Sequence, residues 1–195
     1  MAYEQPRYEV TKRFPGFEIR DYAPFVVAET KVEARHAEAG NEGFRRLAGY
    51  IFGKNKGARK IAMTAPVAEA RATRIAMTAP VAEVATGDPD HFLIQFMMPS
   101  DFTLDTLPEP LDERIHFRQV PARRVAAIRY SGTWSERRYR SHLDKLRSAL
   151  GREHLESVGE PVWARYDPPF KPWFLRHNEI LIEVRPAGVP RDTSS

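Results

Sequence analysis

The chain has 195 residues, of which 42% are hydrophobic and 29% charged, a composition typical of a globular protein with an apolar core. It contains no cysteine, which excludes disulfide bonds, thiolate nucleophiles and zinc–cysteine sites. The net charge of +4 favours anionic ligands, but it is too small and too dispersed to indicate binding to nucleic acid.

No stretch of the sequence approaches the roughly 18 apolar residues of a membrane span. The first ten residues carry charges and lack the apolar run of a signal peptide. We therefore expect a cytoplasmic protein without a membrane span. The sequence leaves its oligomeric state open.

Periodicity predicts four elements in the N-terminal half. Phe17–Tyr22 and Phe25–Glu33 are expected to be strands, and the Ala23-Pro24 link between them suggests a hairpin-like pair. Ala39–Gly53 is expected to be a helix, and Phe92–Met98 alternates as a strand does. One face of the predicted helix carries apolar residues at helical spacing: Phe44, Leu47, Ala48 and Ile51.

The C-terminal half shows the same order of elements. Ile115–Gln119 and Arg124–Tyr130 are predicted strands on either side of a turn at Pro121. The helix Ser135–Leu150 follows them, and Asn178–Arg185 alternates as a final strand.

The second predicted helix carries recognisable end signals. Thr133 and Glu136 have the spacing of a capping box, and Gly151 stands where a C-terminal cap is expected. Two strands, a helix and further strands thus occur from about residue 17 to 99 and again from about 115 to 186. This order predicts a duplicated α+β unit, with a curved antiparallel sheet or open barrel flanked by two helices.

A short repeat interrupts the first half. Ile61–Glu69 and Ile75–Glu83 both read I-A-M-T-A-P-V-A-E, at a period of 14 residues. Two copies are too few for a solenoid, and the alternation within each copy is typical of a strand that ends at its proline. The repeat either lengthens a hairpin or brings one methionine, Met63 or Met77, to line a ligand groove.

Several motifs occur in an order that resembles one protein family. They are Phe17-Glu18-Ile19-Arg20, Gly53-Lys54-Asn55, Lys60–Val67, Phe96–Ser100, Val120–Arg123, Ser131–Ser135, Ala164–Pro169 and Asn178-Glu179. With them the chain resembles the SOUL haem-binding family from about Tyr8 to Val184. The resemblance implies a distorted antiparallel β-barrel of two βαββ-like units with two flanking helices. It implies a single domain over residues 1–186, followed by a flexible tail at 187–195.

The same resemblance implies a function. It indicates a carrier or buffer that binds haem or another tetrapyrrole non-covalently, with no catalytic residue assigned. The ligand is expected on the apolar face of the first helix and near the loop before the last strand, with basic residues for its propionates. The candidate contacts are Phe44, Leu47, Ala48, Ile51, Arg45, Arg46, Lys54, Lys171, Trp173 and Phe174. For the helix face, the alternative is an ordinary place in the core.

An axial ligand for the iron is less clearly indicated. In the family a histidine proposed for this role follows the E-I-R tripeptide, where this chain has Asp21. His177 stands at a position that is often arginine in relatives, and it lies beside the aromatic loop. His177 is therefore the first candidate and His36 the second, with a surface or structural role as the alternative for each. None of the six histidines forms a metal-spaced pair.

An enzyme is the competing class of function. The two-repeat architecture resembles bacterial effector-binding domains, which suggests a small-molecule hydrolase or a haem-modifying enzyme. The sequence contains neither a nucleophile elbow nor a phosphate-binding loop. An enzyme would need a pocket residue with a shifted pKa, for which Glu179, Tyr50 and Tyr166 are the candidates. A protein-interaction module is a third option.

Overall fold

A computed structural model describes four stretches of the chain, residues 4–33, 36–71, 91–167 and 171–187. They form α+β structure, and in chain order the elements are β1 (Tyr8–Phe14), β2 (Phe17–Tyr22), β3 (Phe25–Glu33), α1 (His36–Ile51), β4 (Val67–Arg71), β5 (His91–Met97), β6 (Ile115–Val120), β7 (Arg123–Tyr130), α2 (Glu136–Arg152), β8 (Leu155–Arg165) and β9 (Asn178–Pro186). A short 3-10 turn, Trp173–Leu175, precedes β9. The second copy of the repeat, Ile75–Glu83, lies outside the described residues, as do Phe170 and most of the predicted tail.

The chain contacts divide the molecule into two units. The first unit comprises Met1–Pro6 and Pro24–Pro121, and the second comprises Arg7–Ala23 and Ala122–Ser195. None of the helices in the described stretches is long and apolar enough to cross a membrane.

In the first unit, four antiparallel strands lie in the order β4-β5-β3-β6. Helix α1 packs against β3 and β5. A β-carbon added at Gly43 would lie 2.3 Å from Cγ1 of Ile94, so glycine allows α1 to approach β5 closely. The core beneath the helix contains Val26, Val32, Leu47, Tyr50, Ile51, Phe92, Ile94, Phe96 and Ile115.

In the second unit, five antiparallel strands lie in the order β1-β2-β7-β9-β8. Helix α2 packs against β7, β8 and β9. The core residues include Phe17, Ile19, Ala126, Tyr130, Leu143, Leu146, Leu150, Ile180 and Ile182. The helix residues among them, Leu143, Leu146 and Leu150, recur at helical spacing on one face of α2.

The duplication expected from the sequence is present in the connectivity. The chain runs β3-α1-β4-β5 in the first unit and β7-α2-β8-β9 in the second. The two units share the strand order, since β4-β5-β3-β6 corresponds to β8-β9-β7-β2. The predicted boundaries of the halves are wrong, however, because β2 belongs to the second unit and β6 to the first.

The hairpin expected between β2 and β3 does not form. Strand β2 pairs with β1 and β7, whereas β3 pairs with β5 and β6. A two-residue hairpin turn needs a positive φ that Ala23-Pro24 does not supply. In the described part of the chain, β1 and β6 each pair with one neighbour only. Both are open edges, so the predicted barrel closure is not confirmed.

The ends of α2 differ from the predicted caps. Ser135 is the N-cap, and its side chain accepts a hydrogen bond from the amide of Arg138. Thr133 lies too early for this role, because its carbonyl accepts from the amide of Ser135. The helix continues through Gly151, and the left-handed residue after it is His154, with a φ of 54°. The capping box and the glycine C-cap are therefore wrong.

The first copy of the repeat is a structural part of the first unit. Ile61 is buried in the core, and Met63 packs against it. The hydroxyl of Thr64 donates to the carbonyl of Met97 at 2.5 Å. Strand β4 begins after Pro66, although the sequence pattern predicts a strand that ends there, because a proline without an N–H is tolerated just before a strand.

The close approach of α1 to β5 generates a prediction. We expect Gly43→Ala to lower the free energy of unfolding by about 1–3 kcal/mol, because its methyl group overlaps Ile94. Urea unfolding of the full chain measures this as a lower midpoint. Gly151→Ala in α2 is the control: nothing lies within 4 Å of its added β-carbon, so its higher helix propensity raises stability by up to about 1 kcal/mol. Equal effects of the two variants would contradict the close approach.

Candidate functional site

The turn before β9 exposes three adjacent large apolar side chains. Trp173, Phe174 and Leu175 are between 52% and 58% exposed. The first two rings pack edge to face, with centroids 5.6 Å apart. Backbone hydrogen bonds close the turn, from Leu175 to the carbonyl of Pro172 and from Arg176 to that of Trp173. The second unit thus presents an apolar surface on a folded turn, a feature that commonly marks a binding surface.

Asp167 anchors this loop at both ends. Its carboxylate accepts a hydrogen bond from Nζ of Lys171 at 2.6 Å and another from the backbone amide of His177. Burial acts to raise the pKa of Asp167, but these two donors outweigh burial and the pKa lies below its usual value. Lys171, a predicted propionate partner, is therefore already paired within the loop.

Below the loop, Glu179 at the start of β9 is only 2% exposed. The guanidinium of Arg20 in β2 donates hydrogen bonds to both of its oxygens, at 2.7 Å to Oε2 and 2.9 Å to Oε1. Tyr166 donates its hydroxyl proton to Oε2 at 2.8 Å. Burial acts to raise the pKa of Glu179, but the hydrogen bonds from His177 and Arg20 lower it to about 2. Glu179 is therefore an ionised carboxylate near neutral pH.

His177 contacts this carboxylate through one ring nitrogen. Its Nε2 lies 2.9 Å from Oε1 of Glu179. The imidazole stacks on the ring of Tyr166, with centroids 4.2 Å apart and planes 5° apart. The side chain of His177 remains 22% exposed. The predicted axial candidate is thus fixed on two sides and still reaches the surface.

The predicted face of α1 divides into two groups. Leu47, Ala48 and Ile51 are buried in the first unit, and the last two turns of the helix pack them against the sheet. Phe44 is 37% exposed, and its ring packs edge to face on Phe96 at 5.4 Å. Three of the four apolar residues on this face of α1 therefore belong to the core, and Phe44 lies at the surface.

The basic residues near α1 also divide. Arg45 and Lys54 are exposed. Arg46 is not, because its guanidinium donates to the hydroxyl of Thr30 at 2.7 Å and to the carboxylate of Glu42. Arg46 therefore holds α1 in place, whereas Arg45 and Lys54 face solvent.

The other sequence candidates have structural partners. Asp21, at the family's histidine position, forms two hydrogen bonds of 2.7 Å with Arg124. Tyr50 donates its hydroxyl proton to the carbonyl of Pro108, and burial raises its pKa to about 12. Burial also raises the pKa of Tyr166. The side chain of His36 lies outside the described residues.

Sequence reasoning missed Arg20 and Asp167 as parts of this site. Both stand within quoted motifs. Asp167 has partners 4 and 10 positions away, at Lys171 and His177, whereas the partner of Arg20 is distant. Arg20 is 159 positions from Glu179 in sequence. The available signal was a charged residue amid the buried positions of β2. Among the described residues, no cluster of three or more histidine, aspartate or glutamate side chains could hold a metal ion by itself.

Solved structures share the fold of this chain at low identity. The C-terminal domain of EcmrR matches with a TM-score of 0.64 and 12% identity, over 92% of this chain and 99% of that one. A hydrolase from Listeria innocua matches with a TM-score of 0.56 and 9% identity, over 87% and 91%. At such identities the likeness shows the fold alone.

Sequence comparison gives a family. Heme-binding protein 1 of Xenopus tropicalis is 30% identical over 171 residues, which are 84% of this chain and 85% of that protein. Heme-binding protein 2 of Homo sapiens is 30% identical over 172 residues, 86% of this chain and 78% of that protein. The family model described as SOUL heme-binding protein matches residues 3–183. Since this match spans nearly the whole sequence, the chain belongs to the SOUL heme-binding protein family.

Proposed function

We propose that this protein binds haem or another tetrapyrrole non-covalently and serves as a carrier or buffer for it. The family and the names of its relatives support this class of ligand. The observation that carries the proposal is the exposed apolar turn Trp173–Leu175, which lies beside Lys171 and His177 in the second unit.

The residues of this surface fit the ligand in chemical type. When bound, haem would supply a broad apolar ring, two negatively charged propionates and an iron that can accept a ligand atom. Trp173 and Phe174 offer aromatic area that water now covers. Burial of such area contributes about 25 cal/mol per Å². Ring burial is therefore the main source of affinity in this proposal.

Cations beside the surface would pair with the propionates. The ammonium group of Lys171 has three donors, and only one hydrogen bond to Asp167 occupies them. It can therefore keep its loop contact and still donate to a carboxylate. Lys171 is our first propionate partner on the second unit.

The first unit offers a separate set of candidate contacts. Phe44 and the exposed cations Arg45 and Lys54 lie on or directly after α1. Taken by itself, the first unit would offer these three side chains to a tetrapyrrole. To the buried residues of the same face we assign the support of the helix, and these are Leu47, Ala48 and Ile51.

The chemistry of the buried carboxylate favours binding over catalysis. A general base is most effective when its pKa is near the working pH. The pKa of Glu179 is about 2, and both of its oxygens already accept hydrogen bonds. The two tyrosines that the enzyme hypothesis names have raised pKa values and therefore keep their protons near neutral pH. None of the three is poised for proton transfer.

The loop surface generates a direct test. Haemin added to the purified chain should produce a saturable Soret shift with about one ligand per chain. The double variant Trp173→Ala, Phe174→Ala should raise the Kd by at least tenfold, because each large side chain contributes about 1.5–3 kcal/mol on burial. Leu104→Ala is the control, since Leu104 is also a large exposed apolar residue, at 43%. Uptake that does not saturate, or equal affinity of the two variants, would refute the proposal.

The propionate assignment has its own test. Lys171→Ala should weaken the binding of haemin and protoporphyrin about fivefold, because a charge-assisted pair of this kind contributes about 1 kcal/mol. Protoporphyrin dimethyl ester has no free carboxylate, so its affinity should not respond to the variant. Lys145→Ala, on the exposed surface of α2, controls for the loss of one positive charge. An equal loss of affinity for acid and ester would show that Lys171 acts only through the loop.

A further inference from the structure

Glu179 determines which nitrogen of His177 carries a proton. Arg20 donates to both oxygens of this carboxylate and Tyr166 donates to Oε2, an arrangement that holds the group as an anion that accepts hydrogen bonds. Its Oε1 lies 2.9 Å from Nε2 of His177, and this nitrogen must therefore be the donor. In the neutral imidazole the lone pair is then on Nδ1.

No described residue forms a hydrogen bond with this Nδ1. The contacts of the His177 side chain are the bond from Nε2 to Glu179 and the stacking on Tyr166. These contacts hold the ring by one edge and one face, while 22% of the side chain is exposed. The chain thus orients an imidazole and leaves its basic nitrogen without a protein partner in the described structure.

His142 shows the opposite arrangement in the same unit. Its ring also stacks on a tyrosine, Tyr130, with centroids 4.2 Å apart. Its Nδ1, however, lies 2.8 Å from the carbonyl of Arg138, one helical turn earlier. A nitrogen next to a carbonyl oxygen is a donor, so His142 has no lone pair at Nδ1. In the neutral ring of His142 the lone pair is then on Nε2, so the two histidines present opposite nitrogens. They also differ in place, because His177 lies two residues after the exposed turn Trp173–Leu175, whereas His142 lies on α2.

We propose that Nδ1 of His177 is the atom that ligates the iron of a bound haem, and that Glu179 is the positioning residue that makes this atom available. The proposal rests on the proposed function, because the iron arrives with its porphyrin. It agrees with the chemistry of metal-bound histidines, which usually donate their other ring N–H to a carboxylate or carbonyl. Such a bond fixes the tautomer and makes the ligating nitrogen a stronger base.

Arg20 and Tyr166 affect how strongly Glu179 accepts the hydrogen bond from His177. Both donate to Glu179, and so draw its negative charge away from His177. Removal of one donor should let the carboxylate accept more strongly from Nε2. The strength of the iron–imidazole bond should then follow the number of donors on Glu179.

The first experiment removes the side chain that is proposed to ligate the iron, that of His177. Full-length wild type, His177→Gly and His142→Ala are loaded with haemin, and absorption, electron paramagnetic resonance and ferrous resonance Raman spectra are recorded. We expect His177→Gly to lose the iron–imidazole stretching band and to shift its Soret maximum. Added imidazole should restore both signals, and His142→Ala should match the wild type. An unchanged spectrum of the haemin complex of His177→Gly overturns the proposal.

Metal-free protoporphyrin separates this proposal from the proposed function. If neither haemin nor protoporphyrin binds to the wild type, both fail. If both bind, and the loss of His177 changes neither the haemin spectrum nor its affinity, the carrier function stands and the ligation proposal is wrong. Support requires that the loss of His177 alters the haemin complex while protoporphyrin affinity stays within about twofold of the wild type.

The second experiment tests the positioning residue. Glu179→Gln should lower the frequency of the iron–imidazole stretch and reduce haemin affinity about tenfold, as loss of an outer partner commonly does. Because this change also leaves buried Arg20 with Glu18 as its remaining carboxylate partner, the variant can fail to fold. Tyr166→Phe therefore provides an independent arm: it keeps the stacked ring, removes one donor to Glu179, and should raise the stretching frequency. A frequency that does not move in Tyr166→Phe overturns the positioning role.

Discussion

The buried ion pair between Arg20 and Glu179 is the interaction on which the second unit depends. Both side chains are almost fully buried, and the transfer of such charges from water costs several kcal/mol per ion. The pair is tolerated because its geometry is bidentate and because further groups complete its hydrogen bonding. Glu18 and the hydroxyl of Tyr22 accept from Arg20, which also lies over the ring of Tyr8. Removal of Glu179 would leave Arg20 with Glu18 as its carboxylate partner, and removal of Arg20 would leave the buried carboxylate of Glu179 with Tyr166 and His177.

This pair also positions the loop that precedes β9. Tyr166 stands where the chain leaves β8 and His177 where it enters β9, and both donate to the same carboxylate. A backbone hydrogen bond from Tyr166 to the carbonyl of His177 closes the base of the loop. The loop between them therefore begins and ends at fixed points. The exposed aromatic residues thus lie on a loop whose two ends bond to the same buried carboxylate.

The sequence predicts the elements better than their partners. The bounds of β2 and β3 agree with the prediction, because aromatic and β-branched residues recur in both strands and Ala23-Pro24 separates them. Their pairing was wrong, because β2 finds its second neighbour about 100 residues away in β7. Strand β1 is largely exposed, and β8 is interrupted by a bulge between Val158 and Val162, so neither shows a regular apolar pattern. Local signals identify a strand, but they do not select a distant partner.

The site illustrates the same limit. An apolar stripe on a helix predicts that this face is buried, but it does not identify what packs against it. In α1 the sheet of the first unit packs against this face. Leu47 and Ile51 could therefore not be told from groove residues by spacing alone. Glu179 and His177 were recognised as candidates from residue type and position, but Arg20 was seen only as part of a motif. Its role appears once register brings β2 and β9 to either side of β7.

The electrostatics of Glu179 finally bear on what kind of site this is. A carboxylate that must shuttle protons needs a free lone pair and a pKa that lets it bind a proton near neutral pH. Glu179 has neither, because Arg20, Tyr166 and His177 together donate four hydrogen bonds to its two oxygens and its pKa is about 2. A permanently ionised carboxylate can instead hold an imidazole N–H in one orientation over the whole physiological pH range. That property suits a residue that orients a ligand-binding group, which is the role that we propose for Glu179 beside His177.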